Sequence, residues 1–412
     1  MRIAHILRKY NPTEWGGTET AIERLLDGLR AHQAEVVLYC PKRAEQFSRD
    51  PLVEAGHVVK RFRAFLPVWG LSADQQRQLI STGGNLMSLD LMWKLRREPA
   101  LSIIHTHTLN RLGGIASSIA RFRRIPLVVT IHGGVLDLPA AVRAKLVEPL
   151  QGGVEWGKVL GWLLRSRRVL DDADAIITCN RTEAALLQQR YPDKIIFVQP
   201  HGVPARQFEE NQRAAPRKAW PEILGKTLLL AVGRIDPVKN QTWLVQQMPR
   251  VLRQHPKAHL VIAGACTDEA YGKVLKKEIR NLGLEPNVTL TGGLSPGDPE
   301  LIGLFQEAAV VVLPSLSETF GLVILESWAA GTPVLSSRTS GAADLIRESQ
   351  NGWFFDLDAP ESFHARLRQV LDDPEQARQA GESGRRRVRD EFDCRALAGR
   401  VKYLYEELIG DS

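Results

Sequence analysis

The stretch PSLSETFGLVILESWAAGTPVLSS (314–337) sets two carboxylates, Glu318 and Glu326, in an otherwise apolar segment. Carboxylates form strong hydrogen bonds to hydroxyl groups and can orient them. Upstream, AAVVVLPS (308–315) reads as a strand, Gly321 to Ala330 has helix composition, and Gly331 and Pro333 are stop signals. This predicts Glu318 in the loop at the strand's carboxyl end and Glu326 on the helix itself. The N-terminus of such a helix offers free amides and the positive end of a dipole, which suit a phosphate. Two acceptors flanking an anion site suit a sugar on one side and a ribose on the other. The plainer alternative is that Glu318 caps the helix while Glu326 faces solvent.

AVGRIDPVKNQ (231–241) ends a second strand. Gly233 lets the backbone turn, and Arg234 and Lys239 follow in the loop. Two cations there can hold a diphosphate and neutralise a departing one without a metal; alone, they would pass for surface charges. In EWGGTET (14–20), Gly16 and Gly17 permit close backbone approach to a ligand. His132, ending VVTIH, can hydrogen-bond a sugar hydroxyl or shuttle a proton, or be a core histidine bonded to backbone. His105 and His107 point to one face of a strand. No third ligand is spaced to join them, so a structural or site-lining role is expected and no metal. Arg111, in TLNRLGG, suits an anionic acceptor.

The elements that must carry these residues alternate. RIAHIL (2–7), AEVVLYC (34–40), LSIIHTHT (101–108), PLVVTIHGG (126–134) and DAIITCN (174–180) read as strands, with helical spacing between the first two at Ile22, Leu25, Leu26 and Leu29. Another strand, IIFVQPHGVP, leads into a polar linker, and the alternation resumes at TLLLAVGRID (227–236), AHLVIAGA (258–265), NVTLTGG (287–293), AAVVVLPS, TPVLSS (332–337) and GWFFD (352–356). Apolar strands alternating with helices argue for parallel sheets buried on both faces. Two such halves place a crevice at the carboxyl ends of the strands. The expected domains are 1–203 and 204–391, with 392–412 as a closing helix that packs back on the first.

The totals agree. A chain of 412 residues, 44% hydrophobic and 25% charged, exceeds one ordinary core and is globular in composition. No apolar run is long enough to span a membrane, and MRIAHILRKY lacks the pattern of a signal peptide. Four dispersed cysteines without a CxxC pair fit a reducing, cytoplasmic setting. Residues 1–200 hold 28 Lys+Arg against 19 Asp+Glu, and the remainder 26 against 28. A basic first half fits a phosphorylated ligand or an anionic surface, or merely arginine-rich solvated helices.

GRIDPVKN and PSLSETFGLVILESWAAGTPV resemble the two signature motifs of the family 4 retaining glycosyltransferases, and HGV (201–203) resembles its short interdomain motif, with His201 in place of the usual Asn. The resemblance covers nearly the whole chain. It implies an α/β fold of the GT-B type, with two Rossmann-like domains facing across a cleft. It implies a retaining, metal-independent hexosyltransferase of polysaccharide, glycolipid or glycoconjugate biosynthesis, with no cofactor but a nucleotide-diphosphate sugar, UDP- or GDP-linked, as co-substrate. By that resemblance Arg234 and Lys239 bind the diphosphate, Glu318 and His132 contact the donor sugar, and these four form the catalytic set. Glu326 takes the ribose hydroxyls. Gly321 and Leu322 offer backbone amides to the phosphates, Gly233 and Phe320 belong to the donor site, Gly292 or Gly293 lies near the base, and Gly16 and Gly17 border the donor. His107 and Arg111 fall on the side of a sugar, lipid-linked or phosphorylated acceptor.

Other features point less firmly. Asp172–Asp174 and Asp356–Asp358 match a metal-binding Asp-x-Asp, but their places suggest turn and cap residues. GRRRVRDEF (384–392) reads as a solvated helix rather than a nucleic-acid site. VEWGKVLGWLLRSRRVL (154–170) sets tryptophans beside arginines, which suits peripheral contact with an anionic membrane or a helix packed on the sheet. A nucleotide-sugar 2-epimerase, or a non-catalytic sugar-nucleotide-binding protein, would share the fold.

Overall fold

Runs such as EVVLYCP, LVVTI and AAVVVL are almost wholly buried, and they assemble into two parallel sheets, each in its own unit. The computed structural model describes residues 1–11, 16–42, 50–70, 72, 75, 76, 79, 86–132 and 154–410. One unit comprises Met1–Thr13, Ala21–Pro200 and Arg395–Ser412, and the other Glu14–Thr20 and His201–Cys394.

The strands of the first unit are β1 (Arg2–Ile6), β2 (Glu35–Pro41), β3 (Val58–Phe62), β4 (Val68–Trp69), β5 (Leu101–Thr106), β6 (Leu127–Ile131), β7 (Val154–Glu155), β8 (Ala175–Thr178) and β9 (Ile195–Val198). Seven of them form one sheet in the order β3-β2-β1-β5-β6-β8-β9, while β4 and β7 make a small antiparallel pair. Winding proceeds outward from β1 to β3 and then reverses from β5 onward. The gap between β1 and β5 is therefore the topological switch point, where loops diverge and ligands settle at the strands' carboxyl ends. His5 lies directly opposite His105 in that pairing.

The second unit repeats the plan with β10 (Thr227–Val232), β11 (Ala258–Ala263), β12 (Val288–Gly292), β13 (Ala308–Leu313), β14 (Val334–Ser337) and β15 (Gly352–Phe355), in the order β12-β11-β10-β13-β14-β15. Its switch point lies between β10 and β13. The loops that leave there are those of Arg234–Lys239 and of Glu318. Leu229, Leu260, Val310 and Val312 from the strands pack with Leu244, Met248 and Phe363 from the helices in a dry core. Each unit is a Rossmann-like α/β domain.

The last helix, Cys394–Gly410, buries Leu397, Val401, Leu404 and Tyr405. Within the first unit its Leu397 carbonyl accepts a hydrogen bond from Gln199 Nε2 at 2.9 Å, and the Arg395 carbonyl lies 2.9 Å from His32 Nε2.

Three strands were not legible in the sequence. VVKRF of β3 carries Lys60 and Arg61 at a sheet edge, and this charge hides the apolar pattern. β4 and β7 have two residues each, too few for any periodicity. The helix expected from Gly321 to Ala330 spans Leu322–Ala329, flanked by those two residues as caps.

Candidate active site

At the β10–β13 switch point the backbone is tightly fixed. Gly233 has φ 147°, and its carbonyl oxygen lies 2.0 Å from where a Cβ on Gly264 would sit, so both positions require glycine. Asp236, 8% exposed, organises the loop: its Oδ1 accepts from the Lys239 amide at 3.0 Å, and its Oδ2 lies 3.2 Å from Arg234 Nη2. Gln241 Nε2 donates to the Arg234 carbonyl at 2.8 Å. Asp236 and Gln241 were missed in the sequence, although both stand inside or beside GRIDPVKN.

The two loops meet. The Lys239 ammonium is ion-paired with Glu318 Oε2, and the Leu316 amide donates to the Val238 carbonyl at 2.8 Å. Glu318 therefore does not cap the helix. The cap residue is Gly321, at φ 97° and without a side chain, so the opening turn keeps amides free of any side-chain cap. Phe320 is buried behind it, edge-on to His201 with ring centroids 4.9 Å apart. Leu322 is half-buried at the first helical position, and Glu326, one turn on, is only 8% exposed, not solvent-facing. Gly292 ends β12 with φ 77° and open space where a Cβ would be. An anion held by the helix amides here would have Arg234 and Lys239 as cations and two carboxylates as hydroxyl acceptors.

The first unit brings four histidines together near the ends of β1, β5 and β6. His5 Nδ1 lies 2.9 Å from His107 Nε2, and His107 Nδ1 lies 2.7 Å from His132 Nε2. His105 is bonded at both nitrogens, to Tyr405 Oη at 2.5 Å and to Thr130 Oγ1 at 2.6 Å. His5 and His105 are wholly buried. Burial, with His57 nearby, pushes the His5 imidazolium down to about 3; burial also lowers His105, helped by His5 and His132. Both are neutral at physiological pH.

The sequence offered no third partner for His105 and His107, whereas the fold supplies His5 through the β1–β5 register. Ring nitrogens of these three lie within 4.8 Å of one another, the spacing of a candidate metal cluster. The hydrogen bonds already made by His105 account for the cluster as a polar network.

Gly16 and Gly17 open the helix Gly17–Ala31, whose Thr20 Oγ1 donates to the Gly16 carbonyl at 3.1 Å. Arg111 is 2% exposed and its Nε donates to the Gly157 carbonyl at 3.1 Å. The Asp-x-Asp matches are structural. Asp174 Oδ2 accepts from the Leu127 amide at 2.7 Å, Asp172 takes Ser117 Oγ at 2.9 Å and pairs with Arg165, and Asp356 Oδ1 accepts from the Asp358 amide at 2.9 Å. In the run 384–392, Arg387 pairs with Glu391 at 3.1 Å and Arg389 with Glu209 at 3.1 Å. Between residues 154 and 170 a short helix, Lys158–Leu163, leaves Trp162 79% and Leu163 62% exposed. Glu14, Trp15, Gly133 and Gly134 of the quoted motifs lie outside the described residues.

Two family descriptions match the chain: a glycosyl transferase 4-like domain over residues 16–201 and glycosyl transferases group 1 over residues 212–387. A D-inositol 3-phosphate glycosyltransferase of Thermobispora bispora is 30% identical over 347 residues, 82% of this chain and 77% of the relative. One of Segniliparus rotundus is 31% identical over 294 residues, 69% of this chain but only 61% of the relative's length. Among solved structures, that of Anabaena Alr3699/HepE in complex with UDP-glucose superposes with a TM-score of 0.73 at 15% identity, over 99% of this chain and 100% of the other. The fold is that of the GT-B class, as expected from the motifs.

Proposed function

The chain belongs to the glycosyl transferases group 1 family, and from that premise we propose that it moves a hexosyl group from a nucleotide-diphosphate sugar to an acceptor hydroxyl, with retention and without a metal ion. The observation that carries this reading is the meeting of Lys239 and Glu318 beside the glycine-capped helix, with Glu326 one turn on. A diphosphate draws Lys239 to itself and frees Glu318 for the sugar hydroxyls. Arg234, Lys239 and the amides at Gly321 and Leu322 then face the charge that develops as the bond from C1 to the phosphate oxygen breaks. Their fixed positive charge serves where a divalent ion would otherwise be needed. Glu326 takes the ribose hydroxyls, Gly292 lies near the base, and Gly16 and Gly17 border the phosphates.

Retention follows from attack on the face the leaving group vacates. The acceptor oxygen bonds to C1, and its proton passes to the departing phosphate. His132 hydrogen-bonds the sugar near C1.

The solved neighbour holds UDP-glucose and the relatives are named for D-inositol 3-phosphate, so we assign a UDP- or GDP-hexose donor and a phosphorylated acceptor. The basic surplus of residues 1–200 supports the second assignment. His107 and Arg111 are the candidates on the acceptor side. Both are engaged internally, so an acceptor there exchanges its bonds for theirs.

The test is transfer in the presence of a chelator, with proton NMR of the product. An anomeric configuration matching the donor supports the reading; inversion, or strict dependence on a divalent ion, overturns it. Trp162 and Leu163, beside Arg165, Arg167 and Arg168, suit peripheral contact with an anionic cytoplasmic membrane face. Flotation with phosphatidylglycerol vesicles but not with phosphatidylcholine vesicles is expected; equal behaviour with both removes this part.

A further inference from the structure

Glu318 lies on a stretch, residues 314–321, that forms neither helix nor strand. Its backbone is tied at Leu316, whose amide donates to the Val238 carbonyl at 2.8 Å, and at Glu318, whose carbonyl accepts from the Gly341 amide at 2.8 Å. A Cβ on Gly341 would come within 2.5 Å of the Phe320 amide nitrogen, so the main chain touches its neighbour there. Single backbone bonds leave a loop free to pivot about them. The side chain of Phe320 supplies a further restraint.

Phe320 is buried, and two rings meet it edge-on. His201 stands with its centroid 4.9 Å away at 74°, and Phe392 at 6.5 Å and 64°. Such pairs are directional, because the negative face of one ring attracts the positive edge of the other. Two of them limit both the place and the tilt of the Phe320 ring. Glu318 is only two peptide units away, so a shift of that ring is carried to it.

The two holding residues stand at or near the ends of the second unit's main segment, which runs from His201 to Cys394. These ends are locked to each other. The Val203 amide donates to the Phe392 carbonyl at 2.9 Å, and the Cys394 amide donates to the Val203 carbonyl at 3.2 Å. A Cβ on Gly202 would come 2.5 Å from the Cys394 Cα. Phe392 is braced in turn by Arg387, whose guanidinium lies 5.3 Å from its ring and 5.9 Å from that of Trp328 on the helix Leu322–Ala329. An asparagine at position 201, usual in the motif that HGV resembles, has no ring to offer.

We propose that His201 and Phe392 are positioning residues for Glu318, acting through the ring of Phe320. They keep the carboxylate where sugar hydroxyls meet it and do not themselves touch the donor. This deepens the proposed function and rests on it for the role of Glu318. The hold on the loop does not depend on that reading.

The first readout is amide hydrogen exchange of the full ligand-free chain, on peptides covering residues 314–321 and, as a control for folding, β11. His201→Asn and Phe392→Leu should raise exchange of the 314–321 stretch by about tenfold or more and leave β11 unchanged. His201→Phe keeps an edge-on ring and should match the wild type. The second readout is binding and turnover with UDP against UDP-glucose and GDP against GDP-glucose. In His201→Asn the nucleoside diphosphate should bind within about twofold of wild type, the nucleotide sugar should bind more weakly, and kcat should fall by about tenfold to a hundredfold. His201→Phe should recover most of the loss. Unchanged exchange in both His201→Asn and Phe392→Leu overturns the proposal, as does a His201→Phe variant that behaves like His201→Asn. Equal weakening of diphosphate and nucleotide sugar, with β11 intact, also overturns it. If no nucleotide sugar binds the wild type, the functional reading fails, and the exchange data still decide whether the two rings hold the loop.

Discussion

Lys239 and Glu318 stand 79 residues apart in the chain and form an ion pair at the strand ends of β10 and β13, each with about a fifth of its side chain exposed. A pair so placed contributes about 1 kcal/mol or less to stability. Its position makes it worth far more to a diphosphate. Lys239→Ala should lower kcat/KM by about 10²–10³ while leaving the thermal midpoint nearly unchanged. Steady-state kinetics beside a melting curve checks this; a large stability loss with intact turnover would make the pair structural.

Glu326 is buried on the first turns of the helix Leu322–Ala329. If it receives ribose hydroxyls, Glu326→Gln should raise donor KM by about 10–100-fold with a smaller change in kcat, since charged hydrogen bonds contribute about 1.5–3 kcal/mol. Kinetics with the sugar nucleotide and with a deoxyribose analogue would separate the cases. Equal loss on both leaves Glu326 no role at the ribose.

Gly264 has no room for a side chain, because its Cβ would come within 2.0 Å of the Gly233 carbonyl oxygen. Gly264→Ala should cost about 1–3 kcal/mol and displace the Arg234 loop, weakening donor binding as well. Urea unfolding and a donor titration on the same variant test both halves of the statement.

The folded pKa of His5, about 3, lies below its ordinary value of 6.5, so the unfolded chain takes up the proton first. The stability gained by keeping this ring neutral is complete above about pH 6.5 and is lost as the pH falls toward 3. The slope is about 1.4 kcal/mol per pH unit. His5→Asn, which cannot protonate, should flatten the pH dependence of the urea midpoint between about pH 6 and pH 4 by that amount. An unchanged slope would mean that His5 is not held neutral.

Tyr405 anchors the closing helix to His105 through a 2.5 Å hydrogen bond in a fully buried setting. Tyr405→Phe leaves His105 Nδ1 unmet and should cost about 1–3 kcal/mol. Unfolding measured against wild type shows it, and an effect near zero would mean that the bond is not made.

The sheets were legible because VVLYC, LLLAV and AAVVVL are continuous apolar runs, and the loops of Arg234–Lys239 and Glu318 because GRIDPVKN and SETFGLVILE set their charged groups within a few residues of a strand end. The pairing of Lys239 with Glu318 was not legible, since only the β10–β13 neighbourhood brings the two loops together. The imidazole chain was hidden for the same reason. His5 sits in the first strand, and its approach to His105 depends on the parallel register of β1 and β5. Arg111 is read as a ligand residue from its place after a strand; that it is buried with its Nε bonded to the Gly157 carbonyl is not visible in the sequence. The charge of VVKRF concealed an edge strand that its backbone nonetheless forms.

On the proposed function, the second unit holds a nucleotide-sugar donor on Lys239, Arg234, Glu318, Glu326 and the helix amides. Saturation-transfer NMR against UDP-, GDP-, ADP- and TDP-sugars without added metal tests it most directly. One nucleotide sugar is expected to bind to the wild type, with the signal lost in Lys239→Ala and in Glu326→Ala. Binding that survives both substitutions, or no binding by any of the four, would contradict it.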